Sequence, residues 1–554
     1  MRARGPFVRR LGIGGRTGVV LLAAGLGVLS PFAIASPASA QQGSDAAGTW
    51  ATPPQVDESA LPPDERKPDQ TYTKKTECVK RSLGQNIEIN TIPWGQSYLQ
   101  LDKAQQIVRS AKGTVGGGIT VAVVDTGVTP HPWFQDRVES GGDYVAKPDN
   151  GAAPGLQDCD GHGTEVAGII AGNPQDPKVG FIGVAPDATI RSYRQLSSNY
   201  AVDQNASNNT GQPGGGTGNP PGDQNGGQNG STPPSGQNGG QLPGTGGGGG
   251  EVGGGTAPQQ DDKGDTRQLQ KEGTAGTLKT LAEIIHGIAE RGEASVINMS
   301  VDHCRAADGT GSIQAGEQQV QAAVKFAADR NVVVVAAAGN VSDDCPQNDQ
   351  ADPNKPRSIV TPPWFADDVL SVGAIDETGG VASFSVHGPW VGVAAPGTDI
   401  VSLDPAEGST GLANLTIEGT QQSPIQGTSF ASPYVAGVAA LVRQMYPQLT
   451  ARQVIQRIEA TAQHPAAPGG RDDFVGYGVI DPVAALTANL PNDVGELAKP
   501  KPVVQTAVLP PADSMSSTPM IVALAGTGGG IVALLITLFV MHTIRRNRPT
   551  GPPS

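Results

Sequence analysis

Three short stretches carry residue types that can do chemistry together. "VAVVDTGV" places Asp125 at the end of an apolar run, with Thr126-Gly127 turning the chain. "DGHGTEVAGIIAG" sets His162 between two glycines at the start of a helical run. "GTSFASPYVAG" sets Ser429 straight after Gly427-Thr428, ahead of apolar residues at helical spacing from Phe430 to Met445. A serine hydroxyl is a poor nucleophile until an imidazole removes its proton, and the imidazole needs a carboxylate to hold its tautomer. A fourth stretch, "VVVVAAAGN", ends at Asn340, whose amide can donate to a developing oxyanion. The chemistry these residues spell is acyl transfer through a serine nucleophile.

Taken singly, each has an ordinary structural reading. Ser429 fits a helix N-cap, Asp125 a turn or cap residue, and His162 a core histidine. Pro433 falls about one turn into the predicted helix, where a missing N–H leaves no bond unmade. The set is what points to function, because each role has one candidate and each candidate stands beside glycines that permit close approach.

The elements that must position these residues are legible as patterns. Short apolar, β-branched runs occur at Ile119–Val124, Ile190–Leu196, Val296–Met299, Val332–Ala337, Leu370–Ala374 and Val391–Ala395. Helical patterns lie among them at Glu165–Ala171, Leu278–Arg291, Gln318–Arg330, Phe430–Met445 and Arg452–Ala460. Continuous apolar strands alternating with helices predict an α/β domain, a parallel sheet covered by helices on both faces, over residues 96–488. Functional groups of such sheets gather at the carboxyl ends of the strands. One stretch, 197–264, is dominated by Gly, Gln, Asn, Pro and Ser and predicts a disordered surface insertion.

With those motifs in place, the chain resembles the subtilisin-like serine proteases. "VVDTGV", "GHGTEVAG", "VINMS", "AAAGN" and "GTSFASPYVAGVAAL" look like that family's successive signatures, in its Asp, His, Ser order. The resemblance implies a doubly wound parallel sheet, with Asp125 as orienting carboxylate, His162 as general base and acid, and Ser429 as nucleophile. It implies that Asn340 and the Ser429 N–H form the oxyanion hole, and that Ser300, Val301 and Gly339 line the substrate groove. After "VINMS" the chain reads "VDHC" where many subtilases carry Leu-Gly-Gly, so groove specificity does not transfer.

A narrower resemblance is to the mycosins, membrane-anchored subtilases of actinobacterial type VII secretion systems. It rests on "IPWGQSYLQLDKAQQI" ahead of the Asp motif, on "QDCDGHGT" with Cys159 beside the histidine, and on the layout of the whole chain. The four cysteines suggest two disulfides, and their spacing permits three pairings. The resemblance implies Cys78–Cys159 and Cys304–Cys345, the first clamping an N-terminal extension, 41–95, that wraps the catalytic domain.

The ends of the chain predict targeting. Residues 1–40 combine a basic start, an apolar run and a final Ala38-Ser39-Ala40, the layout of a secretory signal. The 22 uncharged residues 520–541 would span about 33 Å as a helix, enough for a hydrocarbon core of about 30 Å. Arg545, Arg546 and Arg548 predict a cytoplasmic tail over 542–554, with 489–519 a proline-rich linker.

A formal net charge of −14 argues against a nucleic-acid partner. No C-x-x-C pair suggests a metal, and Asp158 and Asp160 read as loop residues facing solvent, so no cofactor or metal is expected. The expected partners are protein or peptide substrates, type VII secretion membrane components and the membrane. Two functional readings compete: a serine endopeptidase at the outer membrane face, and a structural part of a secretion complex whose proteolysis is dispensable. A general nutritional protease is a third.

Overall fold

The computed structural model describes residues 50–84, 88–148, 150–203, 274–350, 352–418, 421–490 and 533–546. The apolar runs pair as seven parallel strands: β1 (Thr120–Asp125), β2 (Val138–Asp143), β3 (Thr189–Arg194), β4 (Val296–Met299), β5 (Val333–Ala337), β6 (Leu370–Ile375) and β7 (Val391–Pro396). Their spatial order is β7-β6-β5-β4-β1-β3-β2. From β4 the chain steps outward through β5 and β6 to β7, whereas from β1, which lies beside β4, it goes to the edge strand β2 and returns to β3 between those two. Strand order reverses there, and an open α/β sheet forms its functional crevice at such a point.

Both faces of the sheet are covered, which is why its strands read as unbroken apolar runs. Val121 and Val123 of β1 join one hydrophobic cluster, with helices α1 (Leu101–Lys112), α2 (His162–Ala171), α5 (Thr428–Met445) and α6 (Ala451–Thr461). Ala122 and Val124 of the same strand join the other, with α3 (Leu278–Arg291) and α4 (Ala315–Asp329). Helix α5 is buried from Thr428 through Arg443, which explains a sequence with apolar or small residues on every side.

The sequence reading missed β2. "VESGGD" has two glycines and two acids and lies at the sheet edge, where polar residues are tolerated and discourage further pairing. It also set the insertion boundary too early. Ser197–Val202 is a strand that pairs antiparallel with Tyr72–Lys74 of the N-terminal extension, and Tyr200 is buried. That partner is remote in sequence, so no local pattern announced the pairing. The rest of the predicted insertion, 204–264, lies outside the described residues.

From residue 50 the N-terminal extension is held at many points. The Trp50 indole N–H donates to Pro356 O at 2.6 Å, and Gln321 Nε2 donates to Pro54 O at 2.7 Å. Asp64 meets Arg291 at 2.7 Å and the Tyr144 hydroxyl at 2.7 Å. Lys80–Ser82 pairs with the strand Leu415–Glu418.

The predicted signal segment, 1–40, and residues 491–519 of the predicted linker fall outside the described residues, as does 520–532 of the predicted span. Residues 533–546 are helical, passing the predicted end at Met541 to include Arg545 and Arg546. Arginine is a good helix former, so the helical geometry continues into the basic residues. Its apolar side chains are exposed, Phe539 by 72%. Among the described residues no helix is long and apolar enough to cross a membrane.

Candidate active site

Asp125 is the last residue of β1, and His162 is the first residue of α2. Two glycines let those ends meet. A Cβ on Gly127, where φ is +101°, would lie 2.2 Å from Gln157 O. A Cβ on Gly163 would lie 2.1 Å from Gly127 O and 3.1 Å from Asp125 Cβ, so no other residue allows this approach. His162 Nδ1 lies 2.7 Å from Asp125 Oδ1, both side chains fully buried, and Thr126 N–H donates to the same oxygen at 2.7 Å. An ionised carboxylate only accepts hydrogen bonds, so the imidazole carries its proton on Nδ1 and turns Nε2 into the acceptor.

Asp158 holds this junction together. Its Oδ1 accepts from Thr126 Oγ1 and Gly161 N–H, each at 2.8 Å. Its Oδ2 accepts from Thr164 N–H at 2.8 Å and Thr164 Oγ1 at 2.6 Å. Burial raises its carboxyl pKa, against the lowering effect of the Thr164 hydrogen bond. Asp160 is wholly buried, and its carboxylate accepts from Ser198 N–H at 2.9 Å. The expectation that Asp158 and Asp160 face solvent is therefore wrong. Asp158 satisfies N–H groups of the loop and of the first turn of α2, which a helix start leaves in need of acceptors, and Asp160 holds the start of the strand Ser197–Val202.

Ser429 lies at the second position of α5, 3% exposed, with Gly427 as N-cap. The N-cap reading of Ser429 thus fails by two residues. The starting point of the helix also changes the meaning of Pro433. Six residues in, a non-proline residue would donate its N–H to Ser429 O. That carbonyl instead accepts from Ser300 Oγ at 2.7 Å and from Ser432 Oγ at 3.4 Å. Asn298 Nδ2 donates to Ser300 Oγ at 2.9 Å, completing a buried polar cluster beneath Ser429.

Asn340 follows β5 by three residues. Its Oδ1 accepts from Thr428 N–H and Thr428 Oγ1, each at 3.0 Å, and Gly339 N–H donates to Thr428 Oγ1 at 3.2 Å. Those bonds fix the amide plane and turn its nitrogen end away from Thr428. On the other side of Ser429, the Phe430 ring lies 4.9 Å from the His162 ring. Both neighbours of Ser429 in the chain are therefore tied, one to Asn340 and the other to His162. The Ser429 N–H belongs to the first turn of a helix, where N–H groups lack helical acceptors and the dipole is positive.

The predicted groove residues divide. Ser300 is 1% exposed with its hydroxyl turned inward to Ser429 O, and the Val301 side chain packs in the hydrophobic cluster of α3 and α4. Gly339, with φ +102°, borders Asp302, whose Oδ2 would lie 2.8 Å from a Cβ placed on Gly339. Sequence reasoning noted "VDHC" as a departure but gave Asp302 no role. It also missed Asp158, though "D-C-D-G-H-G-T" places an acid where a helix cap belongs.

The extension reaches this site. Cys78–Cys159 and Cys304–Cys345 are both disulfide-bonded, with Cα separations of 4.4 and 5.6 Å. Val79 N–H donates to Cys159 O at 2.9 Å, and Arg81 Nε meets Glu165 Oε1 at 2.6 Å with both side chains fully buried. Glu165 stands three residues after His162 on α2, so the extension anchors the helix that carries the imidazole. Among the described residues, no cluster of His, Cys, Asp or Glu could hold a metal ion.

A parallel sheet whose order reverses between adjacent β1 and β4, with an Asp–His pair and a helix-borne serine at its carboxyl edge, defines a subtilisin-like α/β peptidase domain. The model of the subtilase family matches residues 116–478, and the chain belongs to that family. Within it, the chain is 39% identical to Mycosin-1 of Mycobacterium tuberculosis (strain ATCC 25618 / H37Rv), over 79% of this chain and 83% of that protein. It is 36% identical to Mycosin-1 of Mycolicibacterium smegmatis (strain ATCC 700084 / mc(2)155), over 86% and 90%. Among solved structures it resembles the serine protease MycP1, an essential component of the type VII (ESX-1) secretion system. That match has 37% identity and a TM-score of 0.59 over 79% of this chain and all of that one. It also resembles a chain of an intact ESX-5 inner membrane complex, with 33% identity and a TM-score of 0.61 over 89% and 100%.

Proposed function

We propose that this chain is a serine endopeptidase that cleaves selected proteins at the outer face of a membrane, as part of a type VII secretion apparatus. The observation that carries the catalytic half is the buried 2.7 Å contact between His162 Nδ1 and Asp125, set beside the first turn of the helix bearing Ser429. In this reading His162 Nε2 takes the Ser429 hydroxyl proton as Oγ attacks a peptide carbonyl. The oxyanion that forms is met by Asn340 Nδ2 and the Ser429 N–H. The imidazolium, stabilised by Asp125, then gives its proton to the leaving amine. Water repeats the sequence on the acyl-enzyme. In subtilisin, removing the oxyanion asparagine costs about 2.7–4 kcal/mol of transition-state stabilisation.

The secretion half rests on similarity to the mycosins and to the ESX-5 complex chain. Residues 1–40 serve as the export signal and 520–541 as the anchor, leaving the peptidase domain outside and the tail in the cytoplasm. Flotation of full-length protein with liposomes, lost on truncation at residue 519, tests the anchor.

A second reading, a structural part of the complex, is favoured by the resemblance to a chain assembled within an inner membrane complex. Labelling by a fluorophosphonate, present in wild type and absent in Ser429→Ala, tests the chemistry, and an unlabelled wild type refutes it. Normal secretion by Ser429→Ala cells would assign the essential role to structure. Release from the membrane with broad casein cleavage would indicate a nutritional protease instead.

A further inference from the structure

Asp302 is a carboxylate in an unusual place. It follows β4 by three residues and is 5% exposed. Its Oδ2 is buried and has no hydrogen-bond partner among the described residues. Buried carboxylates are ordinarily paired, because an isolated charge in a poor dielectric is costly. No ion pair reaches Asp302 among the described residues. The guanidinium nearest in sequence, Arg305, is committed to Glu317, with Nε 2.7 Å from Oε1. Burial pushes the Asp302 carboxyl up to about 7, against the lowering effect of its own N–H.

The position gives this carboxylate a purpose. Asp302 stands two residues after Ser300, whose hydroxyl holds the Ser429 carbonyl at 2.7 Å. Its Oδ2 would be 2.8 Å from a Cβ on Gly339, and Gly339 immediately precedes Asn340. Val360 Cγ1 closes the same space, at 3.1 Å from that Cβ position. When a scissile carbonyl carbon faces Ser429 and its oxygen faces Asn340, the side chain on the acyl side hangs from the adjoining Cα. Gly339, next in the chain to Asn340, and Asp302 stand beside that point. The absent Cβ at Gly339 is what lets the buried Oδ2 lie against the main chain there.

Resting on the serine-peptidase reading above, we infer that Asp302 sets substrate choice, selecting a lysine or arginine side chain immediately before the cleaved bond. The cation supplies the partner that the protein withholds. Asp302 is a specificity residue, not a participant in proton transfer.

The test uses the full extracytoplasmic chain and two independent readouts. The first is kcat/KM on tetrapeptide amides that differ only in the residue before the scissile bond: Lys, Arg, Leu, Ala or Glu. Wild type should favour Lys and Arg over Leu by about 10- to 100-fold, the worth of one buried charged hydrogen bond. Asp302→Asn should erase that ratio, and Asp302→Glu, which keeps the charge, should retain part of it. The second readout needs no chemistry: fluorescence titration with p-aminobenzamidine on Ser429→Ala protein, in which Asp302→Asn should weaken binding by a similar factor. A wild type that labels with fluorophosphonate but prefers Leu or Ala overturns the inference, as does a basic preference unchanged in Asp302→Asn. A wild type that fails to label yet binds the amidine through Asp302 refutes the peptidase reading and upholds the cation pocket. Absence of amidine binding to the intact protein overturns the pocket.

Discussion

The hydroxyl of Ser300 donates to the main-chain carbonyl of Ser429 at 2.7 Å, taking the place of the helical N–H that Pro433 lacks. A helix that begins at Thr428 and carries a proline five residues later leaves one acceptor without a helical donor, and that acceptor belongs to the candidate nucleophile. The end of β4 supplies the donor. Strand and helix are thereby joined at the site through side chain and backbone together.

Ser300→Ala should lower stability by about 1–2 kcal/mol, because the buried Ser429 carbonyl keeps only the 3.4 Å contact from Ser432. In a Pro433→Ala background the restored N–H can take over, and the loss should shrink. Urea denaturation of the two single variants and the double variant measures the coupling. Additive losses would show that the two donors do not serve one carbonyl.

Asp125→Asn keeps the shape of the Asp–His contact and removes the charge that selects the Nδ1–H tautomer. Turnover should fall by about 10⁴-fold with little change in KM, as for the equivalent substitution in other Ser-His-Asp enzymes. Peptide hydrolysis kinetics check this, and a decrease under tenfold would deny Asp125 the orienting role.

Arg81 and Glu165 form a buried ion pair between the extension and α2. Removing the cation alone, Arg81→Met, should cost about 3–5 kcal/mol, since it leaves a buried carboxylate without its cation. Arg81→Met with Glu165→Leu should recover most of that loss. Thermal denaturation of the three proteins decides, and an unchanged single variant would show that the extension is dispensable to the helix.

Asp302 makes stability depend on pH in a calculable direction. Its folded pKa, about 7, lies above the ordinary 3.8, so the native state holds a proton that the unfolded chain has lost. Stability from this group is therefore complete below about pH 4 and declines as pH rises to 7 and beyond. The loss is on the order of 4 kcal/mol by pH 8. Asp302→Asn should flatten this slope between pH 5 and 8 in urea titrations, and parallel slopes for the two proteins would refute the assignment.

His131 supplies the opposite sign. Burial depresses its pKa from 6.5 to about 4, so the imidazole stays neutral in the fold while the unfolded chain gains a proton. Its contribution is intact above pH 6.5 and disappears as pH falls toward 4. His131→Gln should lessen acid destabilisation across that window, and an identical acid limb would exclude it.

The catalytic-domain architecture was legible because its signals are local. Strands buried on both faces write themselves as β-branched runs such as Val332–Ala337, and an amphipathic helix such as Leu278–Arg291 repeats every three to four residues. The glycines beside Asp125, His162 and Ser429 marked where backbones crowd together. Edge strand β2 was illegible because solvent on one side removes the apolar requirement. Strand Ser197–Val202 was illegible because its partner, Tyr72–Lys74, lies more than a hundred residues away.

Residue order alone supplied the strand and helix series, the Asp125, His162, Asn340 and Ser429 candidates, and the layout of the chain. Those depend on periodicity and on short motifs, which neighbouring residues carry. Tertiary structure decided that Asp158 and Asp160 are buried, that Ser300 turns inward, that Arg81 reaches Glu165 and that Asp302 has no ion-pair partner among the described residues. Each of those depends on which polar group a buried atom finds across the fold. A hydrogen bond reaches about 3 Å through space, whatever the distance along the chain.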